Sequence, residues 1–534
     1  MEIDRREIAL QVIVGGLFAV SCFLFFQLLI PYHLFMKEQT QLFFLTAGHF
    51  LSYFDKPAWM ACYLGDFLTQ FFYLRGGGAA VLTVVLLIEW QLFVLVLKRL
   101  GLGYQAIGLA LIPVVVECFL HCQLSYSLSS SIGIQLVLFV FLLYTYQANR
   151  WLSIILGLFF VSFLYYIAGA LCFAFPVLVI VYEIRKREIR MVYWLALLLV
   201  CGLFPSLVRH SYFLTVDQAY SYPNHALETG RINMTRENIF ALASESYFGK
   251  WDNVLEQAED EPLKNRVATY YTNLALSEKN ELPDKLLQYY QPASQGLFLA
   301  VGPESNWMDI FFSSDVFYHL GDMNMAQHSA MLGMIFSPNH RSSRMVKRLA
   351  EINLVLGETE AAQKYLRMLE STLFHRRWAR RHSALVGSAE ADSLLAYKHA
   401  QLSKYELLRN ASDNEASLQV LVESNPDNTQ AMNYLLCFYL LNKDLPSFVS
   451  AYNAYCKGNP LYTSRIYYEA LLIMLVREKA SKKVLDSYAI PDNITADFMD
   501  YTKLFEEHGE DMDVLREKYA GTYWFYYHYA AMEE

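Results

Sequence analysis

Three carboxylates fall within one stretch, Pro31–Gly78: Glu38, Asp55 and Asp66. A carboxylate placed near a membrane surface can act as general base on an acceptor hydroxyl. Arg75, near the end of the stretch, has the fork geometry that meets a phosphate. Each residue also has a plainer role. Asp55, in Asp55-Lys56-Pro57, has the place of a helix cap, with Pro57 in the first turn. Glu38 beside Lys37 reads as a solvated interfacial residue. Asp66 reads as a mid-helix hydrogen-bonding group, and Arg75 as a cation suited to a helix C-terminus. Gly76-Gly77-Gly78 reads as a flexible break. It lacks the strand, Lys and Ser/Thr of a phosphate loop.

Further ionisable residues lie in apolar segments. Glu117 and His121 are i, i+4, and so are Cys118 and Cys122. These types can bind metal, but a site needs more ligands than one helical pair. A divalent metal is left open, and pairing of Glu117 to a donor in the bundle is the plainer expectation. Glu89 is a buried ionisable group in need of a partner. Arg209 and His210 end the last apolar segment and suit lipid or substrate phosphates.

Two elements position the acids. Gln39–Phe54 reads as an interfacial helix with Thr46, His49 and Ser52 near one face. Ala58–Leu74 reads as a second helix. Its stripe Asp66, Thr69, Gln70, Tyr73 must face water, a cavity or partner groups.

Apolar runs of spanning length recur around this stretch: Ile8–Ile30, Ala79–Leu97, Tyr104–Leu120, Ile132–Tyr146, Trp151–Ile167, Ala168–Tyr182 and Met191–Val208. A span takes about 20 residues, so the fifth and sixth runs are short, with a turn near Gly169. One long helix broken at Pro176 is the competing reading. Arg5–Arg6, Lys98–Arg99, Arg150 and Arg185–Arg190 fall on one side only if there are seven crossings. The expectation is a bacterial inner-membrane protein with a cytoplasmic N-terminus. The 31–78 loop and everything after Ser211 then lie in the periplasm. The 55% hydrophobic content and mean hydropathy of +0.21 fit.

Residues 1–211 carry 13 Lys/Arg and 10 Asp/Glu; the remainder carries 30 and 42. An acidic back half argues against nucleic-acid binding. After a linker over 212–234, residues 235–534 read as a soluble α-helical repeat domain. Helix breaks are expected at Gly249, Gly321, Gly357, Asn442–Asp444 and Arg477–Lys479. Gly321 to Gly357 is 36 residues and Lys443 to Glu478 is 35. Ser337-Pro338-Asn339 and Asn425-Pro426-Asp427 fit between units. The pattern, clearest over Leu354–Tyr365, resembles a divergent tetratricopeptide-repeat array, whose concave surface would take a protein or peptide. Asp511 begins a helix. Cys437 and Cys456 leave a disulfide open. The aromatic end Tyr523–Tyr529 either caps the array or rests on the membrane interface. The fold class is therefore all-α, a polytopic helical membrane domain followed by a tetratricopeptide-like solenoid.

The layout over Ile8–Ser211 resembles the GT-C class of polytopic glycosyltransferases. An N-terminal span there leads into a long external loop with two interfacial helices and acidic catalytic residues. The resemblance implies a polyprenyl-phosphate sugar as donor, entering from the lipid bilayer, and an envelope acceptor. Glu38 or Asp66 would be the base, with Asp55 a further acid. Arg75, Arg209 and His210 would hold the leaving phosphate. The alternative is a membrane-anchored, non-enzymatic repeat scaffold that recruits envelope proteins. A transporter is not favoured, because inverted repeats and paired broken helices are not evident.

Overall fold

The computed structural model describes residues 5–223, 232–302, 304–337, 340–387, 392–405, 413–509 and 511–531. Every regular element among the described residues is helical. The chain divides into two compact units. One comprises Met1–Glu237 with Arg341–Arg344 and Arg367–Arg380. The other comprises Asn238–His340, Met345–Leu366 and Arg381–Glu534.

In the first unit, in chain order, stand α1 (Arg5–Leu29), α2 (Pro31–Gln39), α3 (Ala47–Ser52), α4 (Trp59–Thr69), α5 (Gly77–Arg99), α6 (Gln105–Leu109), α7 (Leu111–Leu120), α8 (Leu128–Thr145), α9 (Arg150–Ala168), α10 (Ala174–Arg185), α11 (Met191–Val208) and α12 (Val216–Ser221). Five stretches are long and apolar enough to cross a membrane: Arg5–Leu29, Gly77–Arg99, Leu128–Thr145, Arg150–Arg185 and Met191–Tyr212. They mark a membrane-associated protein. Their outer faces keep large apolar side chains in the open, such as Val12 at 68% and Val192 at 85% exposure. Lipid would cover such a surface. Between the helices, Phe26, Leu82, Leu86 and Val114 are fully buried in one core, and Phe141, Leu164 and Phe175 in another.

The 36-residue stretch Arg150–Arg185 is not one rod. Gly169 takes φ +65°, and a Cβ there would meet the Tyr222 carbonyl at 2.4 Å. Beyond it, Tyr182 donates to the Thr145 carbonyl at 3.2 Å, and Arg190 reaches Ser153 Oγ at 3.1 Å. The end of α10 thus lies by the start of α9, and the chain folds back at Gly169. Pro176 sits in the first turn of α10 and breaks nothing. At the other chain-distant junction, Lys98 Nζ meets Glu7 Oε1 at 2.6 Å, so α1 and α5 run antiparallel.

The segment after α1 differs from expectation. Helix begins at once, at Pro31, and residues 40–46 are irregular where Gln39–Phe54 was read as helix. Their backbone groups are satisfied from far along the chain. Ser343 N donates to the Gln41 carbonyl at 2.9 Å, and Leu45 N to the Ser371 carbonyl at 2.7 Å. Thr46 ends this run as the N-cap of α3, accepting from His49 N. Asp55 caps nothing. It is exposed at the end of a 3₁₀ turn, and α4 begins at Trp59 after Ala58 at φ 58°. Pro57 forces Lys56 into extended backbone, so the helix starts later. Nor is Gly76–Gly78 a loose break: a Cβ on Gly77 would lie 2.2 Å from the Phe71 carbonyl. Within 212–234, α12 is a capped helix whose Ala219 carbonyl accepts from Tyr165; residues 224–231 lie outside the described residues.

In the second unit the expected breaks are left-handed turns between helices. Gly249, Gly321, Gly357, Lys443 and Lys479 have φ of 67°, 91°, 75°, 58° and 51°. A left-handed residue after a helix satisfies its last carbonyls. Gly321, for example, joins Trp307–Leu320 to Met323–Phe336. Pro338 and Asn339 lie outside the described residues. Asp511 caps a helix as expected, accepting from Asp513 N at 3.1 Å. Cys437 and Cys456 are buried free thiols, so no disulfide joins them. The aromatic end packs inward. Tyr523 and Trp524 are fully buried, and Trp524 Nε1 donates to the Glu469 carbonyl at 3.0 Å. That burial removes Tyr523 and Trp524 from any membrane interface, while Phe525, Tyr527 and Tyr529 are half-buried.

Candidate functional site

Asp66 is the acid with the most reactive surroundings. It sits partly buried on α4, and Tyr53 donates to its Oδ2 at 2.8 Å. Burial pushes its carboxyl up to about 6, while the Tyr53 hydrogen bond and the charge of Arg341 restrain the rise. A carboxyl at that value is half-ionised near pH 6 and mostly ionised, able to accept a proton, at neutral pH. Aromatic rings wall the site. Tyr53 lies edge-on to Tyr63 at 5.3 Å and to His49 at 5.2 Å, and Phe43 lies 5.3 Å from Tyr63. The rest of the polar stripe turns to partner groups. Thr69 donates to the Gly65 carbonyl, Gln70 to the Phe67 carbonyl, and Tyr73 stacks on Phe374 at 5.8 Å.

Glu38 is enclosed rather than solvated. It is 5% exposed, and its Oε1 lies 3.2 Å from His375 Nε2. Oε2 is buried with no hydrogen-bond partner among the described residues. The cavity beside it, lined by Gln41, Phe43, Gln70, Ser343 and His375, is about 10 Å³. That is room for roughly one water, not a sugar. Asp55 and Arg75 are exposed, and His210 is exposed beyond α11. Arg209 is half-buried, with Nε lacking a hydrogen-bond partner. No hydrogen bond or ion pair among the described residues brings Arg75, Arg209 or His210 to Asp66.

A second constellation is the buried polar cluster at the end of α7. Glu117 accepts from Tyr126 at 2.6 Å and from Ser131 at 2.8 Å; His121 Nε2 lies 2.8 Å from the same Ser131 Oγ. Glu117 is thus paired to donors in the bundle, as expected. Cys118 and Cys122 join no metal cluster: no group of three or more His, Cys, Asp or Glu able to hold a metal occurs among the described residues. Lys37, 7% exposed, donates to the His121 and Tyr126 carbonyls at 2.9 Å each. Burial pulls its ammonium down to about 7.

Glu89 is fully buried on α5, and neither carboxyl oxygen has a hydrogen-bond partner among the described residues. An unsatisfied buried polar group costs about 1–3 kcal/mol. Glu89→Leu is therefore expected to raise the thermal midpoint of the detergent-solubilised protein. A lowered midpoint would show that the carboxyl holds a partner worth more than its burial penalty.

Sequence reasoning missed three contributors. Arg341 acts on Asp66 from 275 positions away. Its exposed place just after Pro338-Asn339 gave no signal. His375 closes Glu38 from 337 positions away, and no local pattern marked it. Glu237 caps α2, accepting from Tyr32 N at 2.7 Å and His33 N at 3.0 Å. Burial pushes its carboxyl up to about 8 against those two bonds.

A model for a family of unknown function (DUF6057) matches residues 6–530. The chain belongs to that family. No curated protein and no solved structure matches it.

Proposed function

For this member of a family without an assigned activity, we propose a membrane glycosyltransferase of GT-C type. It would transfer a sugar from a polyprenyl-phosphate donor to an envelope acceptor on the outer face of the membrane. The observation that carries the reading is Asp66, which accepts a 2.8 Å hydrogen bond from Tyr53 and whose carboxyl is raised to about 6 by burial, against that bond and the charge of Arg341. Asp66 takes the proton of the acceptor hydroxyl as it attacks the sugar's anomeric carbon. The bond from that carbon to the phosphate oxygen breaks, and Arg341 stabilises the departing phosphate. The aromatic wall offers apolar faces to the sugar ring. Glu38 supports the segment rather than reacting, because its cavity is water-sized.

The same reading takes the first unit as seven crossings with the N-terminus in the cytoplasm. The fold-back at Gly169 supports two crossings within Arg150–Arg185. Gln105–Leu120, shorter but apolar, supplies the seventh. The segment 31–78 and the second unit then lie in the periplasm of a bacterial envelope. The left-handed turns between helix pairs support a tetratricopeptide-like array that takes a protein acceptor or, in the alternative of a non-enzymatic scaffold, recruits an envelope protein.

The test is release of polyprenyl phosphate by the purified full-length protein in vesicles containing a polyprenyl-phosphate hexose and supplied with envelope extract as the acceptor. Release lost in Asp66→Asn and kept in Asp55→Asn supports transfer. Loss in both variants, or no release by the wild type with any hexose supplied, overturns it in favour of the scaffold.

A further inference from the structure

The helix Arg376–Ser383 places Arg376 and Arg380, and Arg377 and Arg381, at i, i+4. Like charges at this spacing destabilise a helix. The opposite face packs: Ala379 is fully buried, and so is His375 just before the helix. Two of the arginines are partly answered. Arg376 Nε donates to the Glu370 carbonyl at 2.9 Å, and Arg381 lies 3.9 Å from Asp392. Arg377 and Arg380 are exposed and form no ion pair among the described residues.

The start of this helix is fixed to the turn that leads into a membrane helix. Phe374 stacks on Tyr73, with ring centroids 5.8 Å apart and an interplanar angle of 17°; His375 lies edge-on to the same ring at 5.0 Å. Tyr73 precedes by four positions the first residue of α5, a helix long and apolar enough to cross a bilayer. The exposed Arg75 stands between them. The opposite end of α5 carries Lys98 and Arg99, and there Lys98 is answered by Glu7. Unanswered guanidinium groups beside a helix end that enters the bilayer stand where lipid phosphates lie. The guanidinium fork binds phosphate through paired N–H groups.

We infer that Arg377, Arg380 and Arg75 form a binding surface for the phosphate groups of anionic phospholipids at this end of the bundle. The surface rests on α5 as a membrane helix and not on the transferase reading. Its ligand is headgroup phosphate of the surrounding leaflet, and each basic side chain near such a surface contributes favourably. The bound anion also relieves the repulsion along the helix.

The test is the thermal midpoint of the full-length protein in neutral detergent, with added phosphatidylglycerol, phosphatidylcholine or sodium pyrophosphate. Phosphatidylglycerol is expected to raise the midpoint and phosphatidylcholine to leave it. Arg377→Gln/Arg380→Gln should lose at least half of the rise, and Arg377→Lys/Arg380→Lys should keep most of it. Without lipid the Gln variant should melt no lower than wild type, since it removes like-charge pairs. Asp66→Asn should keep the whole rise, which separates this surface from the proposed reaction. No rise in wild type, or an equal rise in wild type and the Gln variant, overturns the inference. An arginine-dependent rise with pyrophosphate alone would assign the site to soluble phosphates and overturn the lipid assignment.

Discussion

Asp66→Asn is expected to lower sugar transfer by about 10²–10⁴-fold, the usual contribution of a positioned general base. The pH dependence carries the sharper signature. The base must be ionised, so kcat/KM should fall about tenfold per pH unit below about 6, the value to which burial lifts Asp66. Tyr53 stabilises the ionised form through its 2.8 Å hydrogen bond, and Arg341 does so through its charge. Removing either should move the acid limb to higher pH. Tyr53→Phe and Arg341→Gln are therefore predicted to shift the profile in the same direction. Arg341→Gln should in addition reduce the plateau, because it also loses the leaving phosphate. Transfer that stays flat from pH 5 to 8 in the wild type would remove Asp66 from the chemistry.

Glu278→Ala should be the most damaging single change in the second unit. Glu278 accepts from His319 Nδ1 at 2.9 Å and Gln430 Nε2 at 3.0 Å, with Lys398 Nζ at 3.4 Å. Lys398 is fully buried. Burial alone would raise the Glu278 carboxyl, but His319, Lys398 and Gln430 outweigh it and hold the group well below the usual carboxylate range. Removing the carboxylate leaves the Lys398 ammonium buried without its countercharge, which costs about 3–5 kcal/mol. Amide exchange in Arg266–Glu278 and Trp307–Leu320 should then quicken by roughly 10²–10³-fold or more. Lys398→Leu in the same chain should recover part of the loss, because it removes the stranded charge. The pH sign follows from the lowered carboxyl. The native state binds fewer protons here than the unfolded chain, so this stability is present above the ordinary Glu range and is lost as pH falls from there through the lowered value of the native carboxyl. Exchange in Glu278→Ala matching wild type at pH 7 would mean that the hub contributes nothing.

The second unit was the more legible in sequence. Gly249, Gly321 and Gly357 follow helical runs, and each adopts the left-handed conformation such a place requires. Lys443 and Lys479 do the same with side chains that pay some strain for it. Local pattern sufficed because a helix pair turns on its own residues. The first unit was legible where its helices are long and apolar. It was not legible over residues 40–46, whose hydrogen bonds come from Ser343 and Ser371, about 300 positions away. No local period encodes a partner at that range, and residues without a local period default to the nearest helix. The same distance hid His375 from Glu38, Arg341 from Asp66 and Glu237 from the start of α2. Single acids were visible as residues, but the environment that sorts base from support was assembled by distant segments.

All eight cysteines are free; seven are buried and Cys118 is half-buried. For chemical labelling, the wild-type chain is therefore nearly its own blank: a membrane-impermeant maleimide finds little native thiol to modify. One engineered cysteine at a time then becomes a compass for the bilayer. With the orientation proposed above, Lys56→Cys, exposed between α3 and α4, should react in cells whose outer membrane alone is permeable. Gly103→Cys, exposed between α5 and α6, should react only once the inner membrane is opened. Reversal of that order would turn the whole bundle over, and with it the compartment from which Asp66 could draw an acceptor.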